Sequence, residues 1–346
     1  MNSNEKILIK TLQAKQCERP PFWFMRQAGR YLPEYRQLRS NYKNFLEYCY
    51  TPDAATEATL QPIKRFGMDA AIIFSDILVI PHAMGMDVRF EEGRGPILSP
   101  VRTADEIKGL NKLDKKFLSP VYQALKLTKS KLPRETALIG FAGLPWTLSC
   151  YMIEGGSSKE FGEIKKIMQG DPALFSELTE KLVTAVTEHV LLQIEAGAEV
   201  IQLFDSWAGI LSADEFRKWS IEPTFKIVSG IRKSYPDVPI IGFPRQAGSK
   251  FLEYVKETGV NAVSIDDSIS LAWAKDVLQE QVVVQGCLSN QVLAGNPDDV
   301  IKQAHEIIGS LGDKPFVFNL GHGILPHTPV ANMQVLCDYL KQVVFR

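Results

Sequence analysis

Short apolar stretches recur along the chain, and most are followed by a glycine or polar turn and then by a longer segment with helical spacing. This alternation predicts βα units and a parallel sheet, because neighbouring parallel strands require crossover connections. Eight such units predict an α/β fold, a (β/α)8 barrel of the TIM type. The stretches are PFWFMRQ from Pro21, DAAIIFSD from Asp69, ALIGFAG from Ala137, EVIQLFDS from Glu199, PIIGFPR from Pro239, NAVSIDD from Asn261, VVVQGCLS from Val282 and PFVFNLGHG from Pro315.

Two connecting segments carry clear helix signals. Residues 173–197 are amphipathic and end in a glycine suited to the C-terminus of a helix. A second helix is predicted to begin at Thr328 and Pro329, where threonine can cap the helix and proline can occupy its first position. Residues 86–103 interrupt the pattern and predict an inserted hairpin or flap. Because no repeat, low-complexity segment or linker is visible, residues 1–346 are predicted to form one domain.

Polar residues follow the predicted strands at the ends where the connecting loops begin. In (β/α)8 barrels the chemistry takes place at this edge, where the loops that follow the strands come together. The order of residues along the chain therefore predicts one site, formed by Arg26, Arg30, Asp76, Ser206, Arg245 and His322.

The first of these strand ends is rich in arginine. Arg26 and Arg30 flank Gly29, and each guanidinium presents a planar fork of donors that suits a carboxylate or a phosphate. A basic, solvated turn is the alternative interpretation. The apolar residues Phe22–Met25 favour a binding site, because they predict a buried strand that ends at Arg26.

Asp76 directly follows a second apolar run and is predicted to lie at the rim of an apolar tube. A carboxylate there could orient N–H donors, stabilise a developing cation or transfer a proton. The alternative is a helix cap or a structural partner for an arginine. A nearby arginine would favour the ionised form of Asp76, whereas burial would oppose it.

Three further strand ends each have a predicted role and an alternative. Residues 140–158 are rich in glycine, aromatic and hydroxyl residues and are predicted to form a connecting loop that lines an apolar ligand. Tyr151 in this loop either offers its hydroxyl or packs as an ordinary aromatic. Ser206 is predicted to bind substrate, because no acylation motif surrounds it, and Asp205 is either a site residue or a support. His322 lies between two glycines, which allow close backbone approach and an exposed imidazole. The alternative is a loop histidine whose ring bonds to the backbone.

Composition limits the partners of the chain. Its 346 residues are 45% hydrophobic and 23% charged, which is typical of a globular protein with a large core. A formal net charge of -1 gives no overall field for nucleic acid or an anionic membrane. Residues 1–16 contain no long apolar stretch, and no run approaches a membrane span, so a cytoplasmic location is predicted. The five cysteines lack disulfide or zinc spacing, and most are predicted to be buried.

Several chemistries lack their sequence signatures. There is no Walker A loop, no dinucleotide-binding glycine fingerprint in a suitable context, and no basic and aromatic pattern typical of RNA binding. Barrel methyltransferases that activate thiols bind zinc through histidine and cysteine. Here Ile324 stands two residues after His322, where such a cysteine would be needed, and Cys337 lies in a predicted helix. Metal chemistry is therefore disfavoured.

Five motifs, taken in their order along the chain, resemble those of the uroporphyrinogen decarboxylase family. They are PFWFMRQAGRYLPEYR, FSDILVIPHAMGMDVRF, GLPWTLSCYMIEGGSS, QLFDSWAG and NLGHGILPHTP, and they span nearly the whole chain. The resemblance implies a single barrel domain, a homodimer with facing clefts and catalysis without a cofactor. The implied reaction removes the four acetate carboxyl groups of uroporphyrinogen III as carbon dioxide and gives coproporphyrinogen III in tetrapyrrole (heme) synthesis.

The resemblance also implies roles for individual residues. Asp76 would lie near the centre of the macrocycle, accept pyrrole N–H hydrogen bonds and stabilise positive charge in the transition state. Tyr151, Ser206 and His322 would contact the substrate. The arginine segment would hold acetate or propionate carboxylates and would bind the substrate through Arg26, Gln27, Ala28, Gly29 and Arg30. The implied catalytic residues are Asp76, Arg26 and Arg30, and the resemblance does not identify the general acid.

The chain departs from the family at Arg245, and two other functions are possible alternatives. Relatives commonly carry lysine where this chain has Arg245 in FPRQAG, so the charge is kept while the donor geometry changes. A barrel methyltransferase would need zinc and a thiol acceptor, which metal analysis would detect. An inactive tetrapyrrole-binding or carrier protein would bind ligand without producing carbon dioxide.

Overall fold

A computed structural model of the chain describes residues 6–91 and 93–344. Its centre is a seven-stranded parallel sheet in which the strands pair in chain order. These strands confirm the second to the eighth of the predicted stretches. They are β1 (Ala70–Ile72), β4 (Ala137–Gly143), β5 (Val200–Asp205), β6 (Ile240–Pro244), β7 (Ala262–Ser264), β8 (Val283–Leu288) and β9 (Phe316–Leu320), and a separate antiparallel pair consists of β2 (Val88–Glu91) and β3 (Gly95–Leu98).

Helices form the crossovers between consecutive strands of the parallel sheet, as the crossover argument requires, and further helices precede β1 and follow β9. They are α1 (Ile7–Leu12), α2 (Pro33–Arg39), α3 (Phe45–Cys49), α4 (Pro52–Phe66), α5 (Val79–Ala83), α6 (Ala104–Gly109), α7 (Ser119–Lys131), α8 (Pro145–Glu154), α9 (Gly162–Gly170), α10 (Pro172–Glu195), α11 (Ala213–Phe216), α12 (Glu222–Ser234), α13 (Phe251–Thr258), α14 (Leu271–Trp273), α15 (Asn290–Leu293), α16 (Pro297–Leu311) and α17 (Val330–Gln342). Within residues 6–91 and 93–344, no helix is both long and apolar enough to cross a membrane.

The segment around Phe22 joins the two edges of the sheet. Phe22 forms a parallel bridge with Phe318 of β9, and the Phe318 N–H donates to the Pro21 carbonyl at 2.8 Å. On the other side, the Asp69 N–H donates to the Phe22 carbonyl at 3.0 Å, directly before β1. Residues 21–23 therefore lie between β9 and β1.

The strand predicted over Phe22–Met25 is wrong beyond this single bridge. The Phe24 N–H donates to the side-chain oxygen of Gln27, and the Met25 N–H donates to that of Asn319, both at 3.2 Å. Because these side chains replace a ladder partner, the backbone leaves the sheet before Arg26. The predicted burial is confirmed, since all four apolar residues are buried.

Alternate strand residues face two apolar clusters, as the two-residue period of a strand requires. One cluster lies on the inner side of the sheet, where Leu8 and Leu12 of α1 pack against inward residues of the strands. The other, larger cluster lies between the sheet and the surrounding helices. The inner side also holds a buried polar group, in which Gln285 accepts from the Trp23 indole at 2.9 Å and donates to Ser264.

Of the predicted connecting segments, one helix is confirmed, and one loop and one helix cap are wrong. The loop predicted over residues 140–158 is wrong, because α8 occupies most of it, with Pro145 in its first turn and Gly155 at φ 81° after its end. The helix predicted over residues 173–197 is confirmed as α10. The predicted cap at Thr328 is wrong: Pro329 is the N-cap residue of α17, and the buried Thr328 hydroxyl has no hydrogen bond within the described residues.

The segment of residues 86–103 contains the β2–β3 hairpin. Ile97 of this hairpin bridges to Gly156, and the Leu98 N–H donates to the Gly155 carbonyl at 3.0 Å, so the hairpin packs against the end of α8. Its action as a flap, like the single-domain organisation, stays a prediction. The five cysteines are free; Cys17 is partly exposed and the other four are buried.

Candidate active site

The predicted site residues follow the strands at one edge of the parallel sheet. Ser206 and Arg245 come directly after β5 and β6, His322 comes two residues after β9, and Asp76 lies four residues beyond β1. Parallel strands end at the same edge, so these loops lie together at the mouth of the sheet.

The turn that carries Arg26 is sharply bent. The Gln27 N–H donates to the Phe24 carbonyl at 3.0 Å, and Arg26 has φ 61°, a left-handed conformation that costs about 1 kcal/mol or more for a residue with a Cβ. The Gln27 side chain, fully buried, fixes the turn, because its amide accepts from Phe24 and donates to the Ala70 carbonyl at 3.2 Å. A role for Gln27 toward a ligand stays a prediction.

The loop after β9 supports the side chain of Arg26. The Ile324 N–H donates to the Met25 carbonyl and the Asn290 amide donates to the Gly323 carbonyl, each at 2.9 Å. A Cβ placed on Gly323 would lie 2.4 Å from the Cδ atom of Arg26. The side chain of the exposed Arg26 therefore passes over Gly323, and a larger residue at position 323 would force it to move.

Arg30 lies on the exposed side of the same segment and has no ion pair with any residue in the described part of the chain. The guanidinium of Arg36 donates to the Arg30 carbonyl at 2.6 Å and to the Tyr31 carbonyl at 3.2 Å. Arg36 thus holds the backbone of the segment in place. Ala28 and Gly29 lie half-buried between Arg26 and Arg30.

Asp76 has both a structural contact and a free oxygen. Its Oδ1 accepts from the Leu78 N–H at 2.8 Å, two residues further along the chain, in an Asx turn that leads into α5. Among the described residues nothing donates to its Oδ2. Burial raises the pKa of Asp76, while the hydrogen bond from Leu78 and the charge of Arg26 oppose that rise.

Tyr151 and Ser206 reach the site from neighbouring strands. Tyr151 lies on α8, with its ring 6.3 Å from that of Trp207. Burial, followed by the charge of Asp76, raises the pKa of Tyr151, whereas Arg26 lowers it. The half-buried Ser206 hydroxyl makes no hydrogen bond to any described residue, so it is available to a ligand.

Asp205 is a support. Its carboxylate is fully buried, and its two oxygens accept from the hydroxyls of Thr147 and Ser220, each at 2.6 Å. Burial raises the pKa of Asp205 to about 6 against the opposing effect of those two hydrogen bonds. Its carbonyl accepts from the Arg245 N–H at 3.1 Å. Asp205 therefore ties α8 and the helix after β5 to the site edge.

His322 is held in its neutral form. Burial and the charges of Arg245 and Arg26 lower the pKa of His322 to about 3, against a weaker opposite effect of Asp266. The close approach predicted for the flanking glycines is confirmed at Gly321, where a Cβ would lie 2.6 Å from the Asp267 nitrogen. The imidazole is half-buried. A neutral imidazole can accept or donate a hydrogen bond without adding charge.

The electrostatic effects connect the predicted site residues. Arg26 acts on Asp76, Tyr151 and His322, and Arg245 acts on His322. The edge thus combines unpaired cations, one carboxylate with a free oxygen and several uncharged donors, which suits a ligand with several carboxylates and N–H groups. The residues described contain no group of three or more His, Cys, Asp or Glu side chains able to hold a metal ion.

Two features were missed at the sequence level. Asp266, after β7, is buried and accepts from the Gln246 N–H at 2.7 Å and from the Ser268 hydroxyl. Its position after an apolar stretch is the same signal that indicated Asp76. The contact between Gly323 and Arg26 joins distant parts of the chain and has no local signal.

Comparison with known proteins places the whole chain in one family. The family model for uroporphyrinogen decarboxylase (URO-D) matches residues 3–343. The uroporphyrinogen decarboxylase of Wolbachia sp. subsp. Drosophila simulans is 49% identical over 99% of both chains. That of Rhodospirillum rubrum is 44% identical over 98% of both chains.

Solved structures with low sequence identity share the fold. A methyltransferase from Methanosarcina mazei is 19% identical and superimposes with a TM-score of 0.76 over 97% of both chains. A B12-independent methionine synthase from Shewanella sp. W3-18-1 is 9% identical, with a TM-score of 0.55 over 84% of this chain and 87% of its own. These likenesses concern the fold alone. The sequence matches confirm the motif resemblance, and the chain belongs to the uroporphyrinogen decarboxylase family.

Proposed function

We propose that the chain catalyses the decarboxylation of the four acetate side chains of uroporphyrinogen III to give coproporphyrinogen III. The observation that carries this proposal is Asp76 with one uncommitted carboxylate oxygen, within the electrostatic reach of Arg26, in a chain of this family. A carboxylate in that position suits the pyrrole N–H groups at the centre of a macrocycle.

Each decarboxylation replaces one carboxylate by one proton. Protonation of a pyrrole carbon creates a cation, which accepts the electron pair released when the acetate C–C bond breaks and carbon dioxide leaves. Protonation of the exocyclic methylene that remains gives the methyl group, and loss of the proton first added to the ring then restores the pyrrole. Asp76 stabilises the cationic intermediate, because a fixed negative charge in a site of low dielectric interacts strongly with developing positive charge.

The remaining site residues bind and orient the substrate. Arg26 and Arg30 hold carboxylates through charge-assisted hydrogen bonds, and the backbone of Gln27, Ala28 and Gly29 sets their spacing. Tyr151, Ser206 and His322 offer uncharged hydrogen-bonding groups. A neutral His322 suits a site crowded with cations, because a second positive charge beside Arg26 would be repelled.

The test is anaerobic incubation of metal-free protein with uroporphyrinogen III, followed by oxidation and chromatography of the products. A reaction without protein controls for spontaneous oxidation. Coproporphyrin is the expected product. Tight binding without product would instead favour a carrier protein, and neither binding nor product would favour the methyltransferase hypothesis.

The wider organisation is part of the same proposal. Residues 1–346 form one (β/α)8 barrel domain closed by residues 21–23, with the β2–β3 hairpin as a flap beside α8. The family resemblance supports a homodimer with facing clefts, which light scattering coupled to gel filtration would test. The free cysteines, four of them buried as thiols, support a reducing, cytoplasmic compartment.

A further inference from the structure

The backbone on both sides of Arg245 is held in place. The Arg245 N–H donates to the Asp205 carbonyl at 3.1 Å. The next residue, Gln246, has φ 60°, and its N–H donates to Asp266 Oδ2 at 2.7 Å. Gly209 packs so closely that a Cβ there would lie 2.6 Å from that of Gln246. The loop after β6 thus fixes where the Arg245 side chain begins.

The guanidinium of Arg245 has no anionic partner. It forms no ion pair with the described residues, and its Nε is shielded from solvent without a hydrogen bond to them. The two buried carboxylates that adjoin its loop are already committed, Asp205 to two hydroxyls and Asp266 to Gln246 and Ser268. A shielded donor without a partner is costly, so a ligand that supplies an acceptor would be bound favourably.

Arg245 stands opposite Arg26 in the strand order. Residues 21–23 pair with β9 and contact the start of β1, and β6 is the fourth strand from them in either direction. Both arginines nevertheless lie at the same edge of the sheet, directly after β6 and shortly after residues 21–23, and both lower the pKa of His322. A ligand between them would meet a cation on each side.

We propose that Arg245 binds a carboxylate of the substrate on the side opposite to Arg26 and Arg30. This inference rests on the proposed function, because uroporphyrinogen III carries acetate and propionate groups around its whole perimeter. Cations on one side alone would leave the carboxylates of the far side unmatched in a half-buried site. Arg245 is thereby a substrate-binding residue in addition to those that the motifs indicate.

The test compares Arg245→Gln and Arg245→Lys with Arg134→Gln, which removes an exposed arginine before β4, at the other end of the sheet. We expect Arg245→Gln to raise KM about 10- to 100-fold, the range for loss of a charge-assisted hydrogen bond, with kcat within a few-fold. Lysine should restore part of the loss, and Arg134→Gln should leave both constants unchanged. A purely structural role would lower the melting temperature without this selective KM change.

Binding of uroporphyrin I, followed by fluorescence quenching, separates the inference from the proposed function. Weaker binding by Arg245→Gln supports the inference even if the wild-type protein forms no coproporphyrin, a result that would refute only the proposed function. Wild-type affinity in Arg245→Gln would overturn the inference while leaving the proposed function intact.

A second variant tests the same contact without changing Arg245. Gly209→Ala forces the loop at Gln246 to move, so we expect a smaller rise in KM, by roughly 3- to 10-fold. Gly170→Ala is the matched control, because a Cβ at Gly170 meets no atom within 4 Å. A wild-type KM in Gly209→Ala, together with one in Arg245→Gln, would overturn the proposal.

Discussion

Gly323 lies beneath the side chain of Arg26, and the two leave no room for a methyl group between them: a Cβ on Gly323 would be 2.4 Å from Cδ and 2.7 Å from Cγ of Arg26. The contact joins the loop after β9 to the turn before β1. Arg26 itself has φ 61°, a left-handed backbone conformation that is uncommon for a residue with a Cβ.

Gly323→Ala should therefore displace Arg26 from the site. We expect KM for the substrate to rise about tenfold, while the free energy of unfolding changes by less than about 1 kcal/mol, since the exposed Arg26 can move outward. Steady-state kinetics and urea unfolding measure the two effects. Gly309→Ala, which adds a methyl group with nothing within 4 Å, is the control. An unchanged KM would show that the contact with Gly323 does not position Arg26 for substrate binding.

Asp76→Asn should abolish most of the turnover and keep the fold. Asparagine can still accept from the Leu78 N–H through its side-chain oxygen, so the turn before α5 is preserved, but the negative charge is lost. Removal of one electrostatic stabiliser costs about 10²- to 10³-fold in kcat. Single-turnover rates and a melting curve test this, with the exposed Asp237→Asn as control. Wild-type rates in Asp76→Asn would refute the charge-stabilising role.

The positions of Asp76, Ser206, Arg245 and His322 were predictable because each follows an apolar run, and strand ends share one edge whatever the details of packing. Contacts between distant segments were not. The early end of the strand before Arg26 depends on the side chain of Asn319, and the helix that carries Tyr151 was missed because its glycine-rich, aromatic composition hid the Pro145 and Gly155 signals. The pattern of apolar and polar residues therefore predicts which side chains lie at the edge of the sheet. Their orientation there depends on contacts between distant segments.

His322 should remain neutral throughout the working pH range. Burial, Arg245 and Arg26 lower the pKa of His322 to about 3, so nuclear magnetic resonance of its ring should show no titration between pH 5 and 8. In Arg245→Gln the pKa of His322 should rise, because one of the charges that lowers it is gone. A midpoint near 6.5 in the wild-type protein, the value of an unperturbed histidine, would contradict the burial of the ring beside two cations.

Asp205 should make stability fall as the pH rises. Burial raises the pKa of Asp205 from 3.8 to about 6, so the folded protein holds this proton more tightly than the unfolded chain does. Its stabilising contribution is therefore fully present below about pH 4 and is lost as the pH rises through about 6. A rise of this size corresponds to about 3 kcal/mol.

Asp205→Asn removes this titration while keeping hydrogen-bonding groups beside Thr147 and Ser220. The free energy of unfolding of the variant, relative to the wild type, should increase by up to about 3 kcal/mol between pH 4 and 7, as measured by urea unfolding at several pH values. Asp214→Asn, a change at an exposed aspartate, is the control. The opposite slope would mean that the hydrogen bonds from the Thr147 and Ser220 hydroxyls, both 2.6 Å long, outweigh burial and keep Asp205 ionised in the folded protein.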